Sequence, residues 1–302
     1  MAGFSPKSIT HYHVRSISFP ARSHPSTIKA EEELNKLKTW EAFSSPKADT
    51  ICNGLSGLEE VFECIEELLS LPVVQQALAQ HQHETLVNEL LEGSIRYIDI
   101  CSNIRDTVLL MKEGVRELQS ALRRSKAANM SIESNVNAYV CSRKRMRKEF
   151  EKSLVTLKNI ENKLAASSLL DIDSHLLAVV RVLREASLVT ISILQSLLLF
   201  LSVLVLKPKP SRWSLLSKLV QKGGAASVGE QNNMNEVESA DIALRVLLLQ
   251  SSSEDGEEER IQSAHRRLED LDAVVGHFEN GLEGLFRCLI HTRVSLLNIL
   301  SC

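Results

Sequence analysis

The chain has 302 residues, 44% of them hydrophobic, enough to bury one large core or two smaller ones. Gly and Pro number only 12 and 7, too few for the many turns of an all-β protein, and aromatics at 4% leave Leu, Val and Ile to fill the core. A net charge of −3 excludes a global basic field of the kind that holds nucleic acid.

Residues 1–30 contain no Asp or Glu, are rich in Ser, and carry Lys7, Arg15, Arg22 and Lys29. Such a composition predicts a disordered arm over residues 1–28. An organellar transit peptide shares the composition, but the apolar face such a peptide needs is missing. Arg15-Ser16-Ile17-Ser18 and Arg22-Ser23 make Ser18 and Ser23 candidate phosphorylation sites. Phosphate there adds a charge of about −2 and could dock the arm on a basic face.

A helical bundle is expected over 29–221. Its first helix runs from Glu31 to Trp40, with acids at its start and Lys36 and Lys38 near its end, as the helix dipole favours. A short helix follows over about 57–71, with Gly54 and Gly57 flanking its start. Pro72 suits the first turn of another, which ends near His81. From Val87 to Leu122, apolar residues then recur in alternating steps of three and four. Held over about five heptads, that pattern predicts one helix of about 40 residues, roughly 60 Å long.

A second long helix is predicted over 131–165, with Val136, Tyr139, Met146 and Phe150 on its stripe and Arg143 interrupting it. Here lies the densest basic run, Arg143, Lys144, Arg145, Arg147 and Lys148. A nuclear signal or a nucleic-acid patch is one reading. Helical geometry spreads these bases around the axis, so a solvated helix face is preferred. The acidic segments at 31–33 and 254–259 could meet that face.

A third long helix runs from Asp171 or Asp173 to Leu206, where Lys207-Pro208-Lys209-Pro210 breaks it. Residues 188–206 carry no charge. Their length just spans a hydrocarbon core of about 30 Å, and Lys207, Lys209 and Arg212 resemble a cytoplasmic flank. Ser192, Gln195, Ser196 and Ser202 dilute the run, and Arg181, Arg184 and Glu185 share its helix. A buried central helix is therefore expected, with membrane association through 188–206 as the alternative.

Gly223, Gly224 and Gly229 mark a flexible linker over 222–238. The C-terminal helices, 239–302, are expected to pack back on the bundle. A short helix to Gln250 and an acidic break at 251–259 precede the cleanest repeat in the chain, which runs from Ile261 to Ile299. Leu271, Phe278, Leu285 and Leu289 lie on this seam. It either packs on the bundle, which we expect, or receives another chain.

No chemistry is legible. The six cysteines form no C-x-x-C pair and read as reduced thiols, mostly core-lining. His11 with His13 and His81 with His83 lack further metal ligands at suitable spacing. No nucleophile elbow, zinc-protease helix or phosphate-cradling loop occurs. No enzyme activity, cofactor or metal is expected.

Several blocks are nonetheless distinctive in combination. They include His13-Val14-Arg15-Ser16-Ile17-Ser18-Phe19-Pro20, Glu31 to Trp40 (EEELNKLKTW) and Gly54-Leu55-Ser56-Gly57-Leu58. Glu89-Leu90-Leu91-Glu92-Gly93-Ser94, Leu118 to Arg124 (LQSALRR) and Pro210-Ser211-Arg212-Trp213-Ser214-Leu215 extend the set along nearly the whole chain. Together they resemble a plant-specific family grouped with the BYPASS-like proteins. That resemblance implies a helical protein linked to root and shoot development, with no established catalytic residues to transfer.

The expectation is thus an all-α protein, an elongated bundle of long helices with coiled-coil-like seams. It would act as a non-enzymatic interaction or scaffold protein with a protein partner, cytoplasmic rather than nuclear, and not on nucleic acid. A membrane-associated regulator anchored by 188–206 is the alternative.

Overall fold

The computed structural model describes residues 24–39, 47–80, 85–128, 132–166, 174–203, 234–249 and 256–301. These form eight helices and no strand. They are α1 (Pro25–Lys38), α2 (Ala48–Leu69), α3 (Pro72–Gln80), α4 (Thr85–Ala128), α5 (Glu133–Ala166), α6 (Ser174–Ser202), α7 (Glu236–Leu249) and α8 (Glu257–Ser301). The protein is all-α, as the periodicity predicts. Most of the arm, the glycines of the linker and residues 251–255 of the acidic break lie outside the described residues.

Four helix starts differ from the sequence expectation: α8 opens at Glu257, inside the acidic break expected over 251–259, where Glu257, Glu258 and Glu259 suit a helix N-terminus, and three others differ for local reasons. α1 opens at Pro25, inside the segment expected to be an arm. Proline suits the first helical position, and the His24 ring accepts a hydrogen bond from the Ser26 N–H at 3.2 Å. α2 opens at Ala48 rather than near Gly57 and runs straight through both glycines. Gly57 sits where α1 crosses: a Cβ there would lie 2.5 Å from Leu37 Cδ2. Its lack of a side chain serves close packing, not a helix boundary. α7 starts at Glu236, inside the expected linker. Asn235 caps it by accepting from the Glu238 N–H at 2.8 Å and ties the cap to α6 by donating to the Phe200 carbonyl at 3.1 Å.

Four long helices form the main bundle. α4, α5 and α6 run up, down and up, with Tyr139 against Gly114 and Gln195 Nε2 donating to Glu161 at 3.1 Å. α8 packs antiparallel to α4. Their contact is edged by a charge ladder: Arg116 to Asp272 at 3.0 Å, Lys112 to Glu279, and Arg105 to Glu283 at 2.7 Å. α8 also packs on α2, α7 and α3, while α6 packs on α5, α2, α1 and α3. The two helices meet where Phe200 and Phe278 stack edge to face, 5.4 Å between centroids.

These neighbours explain the uncharged run after Leu188. Val189, Ile191, Ile193, Leu194, Leu197 and Leu201 are all buried, since α6 has helices on most sides. Among the described residues no helix is long and apolar enough to cross a membrane. Residues 204–206 lie outside them.

Gly281 and Gly284 let α8 approach α2, and the two sites should respond differently to a methyl group. A Cβ at Gly281 would lie 2.9 Å from Leu55 Cβ, which cannot swing aside. A Cβ at Gly284 would meet only the carboxylate end of Glu59, which can. Gly281→Ala is expected to lower stability by about 1–2 kcal/mol, overpacking outweighing the gain in helix propensity. Gly284→Ala should be neutral or stabilise by up to roughly 1 kcal/mol. Urea unfolding of both variants reads the difference.

Candidate interaction surfaces

The seam on α8 faces inward. Leu271, Phe278 and Leu285 are fully buried and Leu289 nearly so, as are Ile261, Leu268, Val275, Leu282 and Leu296 at the same spacing. Their neighbours are helices of the same chain, so any surface for a partner must lie on another face of the helix.

The basic run divides. Lys144, Arg145, Arg147 and Lys148 are exposed, and Arg147 pairs with Glu151 one turn on, at 2.7 Å. Arg143 does not belong with them, which corrects its reading as part of a solvated face: its side chain is 0% exposed. It follows Val136 and Tyr139 and precedes Met146 and Phe150 at core spacing, so helix geometry turns it inward. There it donates to the carbonyls of Leu201 at 3.1 Å and Val203 at 3.0 Å. It thereby caps the C-terminal end of α6 from inside the bundle.

Its charge is balanced by Asp241 on α7, also fully buried, 3.8 Å from Arg143 Nη2. That separation is too long for a hydrogen bond, and among the described residues neither Asp241 oxygen has a hydrogen-bond partner. Burial pushes the Asp241 carboxyl up to about 6, against the pull of Arg143 and Arg245. The Tyr139 phenol, buried beside the pair, is raised by desolvation as well. Local patterning singles out Arg143 only as an interruption of the stripe. Nothing in the sequence joins it to Asp241, which no sequence argument had marked.

The outer flank where α4 and α8 meet is different in character. Beyond Arg105 and Glu283 the ladder continues as Arg293, which donates to the Leu91 carbonyl at 2.6 Å and to Ser94 Oγ at 2.7 Å. Beside it, Ile290, Val294 and Leu297 recur at helical spacing on α8 and are 40%, 46% and 39% exposed. On α4, Ile95 is 43% exposed on the flank that carries Leu91 and Ile98. These side chains lie on the α4 side of α8 and the α8 side of α4, so they form one apolar strip across two helices. Sequence reasoning missed the strip because these residues sit next to the stronger seam positions, which dominate the pattern.

Four thiols are poorly placed for chemistry, whereas Cys141 is exposed and does not line the core. Burial raises Cys52, Cys64, Cys101 and Cys288, with Cys101 pushed up to about 12. No group of three or more metal-ligating side chains converges among the described residues. Ser18, Ser23 and the His11/His13 and His81/His83 pairs lie outside those residues.

No curated protein and no solved structure matches the chain. A family model described as Protein BPS1 matches residues 54–299, from the middle of α2 almost to the end of α8. The match takes in the α4–α8 ladder, the Arg143–Asp241 pair and the apolar strip, and by it the chain belongs to the BPS1 family, the BYPASS-like proteins.

Proposed function

We propose that this chain is a non-enzymatic helical interaction protein that binds a protein partner through the apolar strip of Ile95, Ile290, Val294 and Leu297. The observation that carries this reading is the exposure of these side chains together at one end of the α4–α8 pair. Isolated apolar residues on a surface need no explanation, whereas a contiguous strip across two helices is the form that protein-binding sites take. The root and shoot development that the family resemblance implies would be the setting, and the cytoplasm the compartment. Anchoring by 188–206 is less well supported, because most apolar side chains of α6 are buried against protein, Leu199 being the large exposed one among the described residues.

The test is the double variant Ile290→Glu/Val294→Glu. Both sites are exposed, so the melting temperature should stay within about 2 °C of wild type. In a plant lacking its own copy, wild type should restore growth and the variant should not. Full restoration by a folded variant would sink the proposal.

A further inference from the structure

Among the described residues, no helix covers one face of α2. α1 covers one side, through Leu37 against Gly57 and Lys29 against Glu67 at 2.9 Å. α8 covers the other, through Gly281 and Gly284 against Leu55 and Glu59. On the open face between them, Asp49, Glu60, Glu63 and Glu67 follow one another at helical spacing and are exposed, with Glu59 and Glu66 on the edge toward α8. α2 contains no Lys or Arg. Glu67 has Lys29, and Glu66 has Ser295 at 2.6 Å and His291 at 3.5 Å. Among the described residues no ion pair reaches Asp49, Glu59, Glu60 or Glu63.

Hollows accompany this face. A groove of about 920 Å³ lies between α2 and α8, lined among others by Asp49, Ser56, Glu59, Glu283 and Arg287. A second, of about 590 Å³, lies further toward the α2 C-terminus, between Glu66, Ser70 and Gln75 on one side and Ser295 on the other. One Glu66 oxygen is buried in that region without a hydrogen-bond partner. The negative field reaches into the packing: burial, then Glu59, Glu63 and Glu66, raise the Cys288 thiol on α8.

We propose that the basic segment 1–23 of this same chain docks along the acidic face of α2 and the groove it shares with α8. Three features of the molecule name this occupant. The segment carries Lys7, Arg15 and Arg22 and no acid, so its charge is complementary. It joins α1 at Pro25, beside Glu67, and so is tethered at one end of the acidic face. It is long enough: Asp49 to Glu67 spans roughly 27 Å of helix, and the ten residues from Arg15 to Pro25 can extend about 33 Å. Tethering makes the association intramolecular, so a few weak charge pairs suffice. Phosphate at Ser18 or Ser23 adds a charge of about −2 next to the basic residues and expels the segment from the face. Docking would thus be a phosphorylation-controlled state of the protein.

The experiment uses the full chain and limited trypsin cleavage after Arg15 and Arg22. Each rate is divided by that of a free peptide of residues 1–23 under the same conditions. At low salt, wild type should be cleaved about tenfold more slowly than the peptide, and about 0.5 M NaCl should largely abolish the protection. Glu59→Gln/Glu60→Gln/Glu63→Gln, which breaks no hydrogen bond among the described residues, should abolish it at low salt, as should Ser18→Asp/Ser23→Asp. Cleavage of wild type at the peptide's rate would overturn the proposal, as would protection that survives the triple substitution. Neither outcome bears on the α4–α8 strip, which lies on another face of α8.

Discussion

Leu285→Ala should lower the melting temperature of the isolated protein by about 10 °C. Leu285 is fully buried in the middle of α8, on the seam that α4 and α2 enclose. Truncating such a leucine removes its transfer free energy and leaves a cavity that a long, rigid helix closes poorly, at a cost of about 2–5 kcal/mol. That is a large part of the roughly 5–15 kcal/mol that holds a domain together. The seam could instead have served another chain. In that case the substitution would leave the melting curve unshifted and abolish association. Thermal unfolding beside light scattering, wild type against variant, separates the two results.

The second large effect is expected at Arg143. Arg143→Met leaves the buried Asp241 with the pull of Arg245 alone and withdraws two hydrogen bonds from the end of α6. Loss of one member of a buried pair typically costs about 3–5 kcal/mol, and denaturant unfolding should show a loss of that size. Replacing both members, Arg143→Met with Asp241→Leu, should recover most of it, since apolar side chains can fill the space. No recovery in the double variant would mean that the carbonyl caps, rather than the charge pair, hold this corner.

The same pair gives a signed pH effect. The Asp241 carboxyl rises from 3.8 in its ordinary state to about 6 on folding, so the folded protein binds more proton across that window. Its contribution to stability therefore falls as pH rises from 3.8 to about 6 and levels off above. Other carboxylates, in ion pairs, work in the opposite direction, so the informative quantity is a difference. The stability of wild type minus that of Asp241→Asn should fall with rising pH over this range. A flat or rising difference would show that the carboxylate stays ionised in the folded protein.

Most of the architecture was legible because it is written in short-range spacing. The seam from Ile261 to Ile299 is buried at Leu268, Leu271, Val275, Phe278, Leu282 and Leu285, as a step of three and four requires. The same rule misled at Arg143, where charge was weighed above position. A stripe residue goes inward whatever its type if a partner waits there. Its partners are the carbonyls of Leu201 and Val203 and the carboxylate of Asp241, each more than fifty residues away. No local window contains such a pairing. Gly57 failed for a related reason: a glycine that admits Leu37 from another helix looks, in sequence, like one that ends its own. The apolar strip was hidden because exposure depends on where α4 stops covering α8, a property of two helices rather than one.

The position of α8 in the chain has a consequence for biosynthesis. Its partners α2, α3, α4 and α7 all leave the ribosome earlier, so each must wait, with an apolar face uncovered, for the last helix to be made. At roughly 5–20 residues per second, α2 would wait on the order of ten seconds or more. A nascent chain in that state exposes surfaces that chaperones bind, and its closure joins segments far apart in sequence, which slows folding. Premature termination before Glu257 would therefore leave a chain that stays bound to chaperones or is degraded, rather than a shorter, partly active bundle.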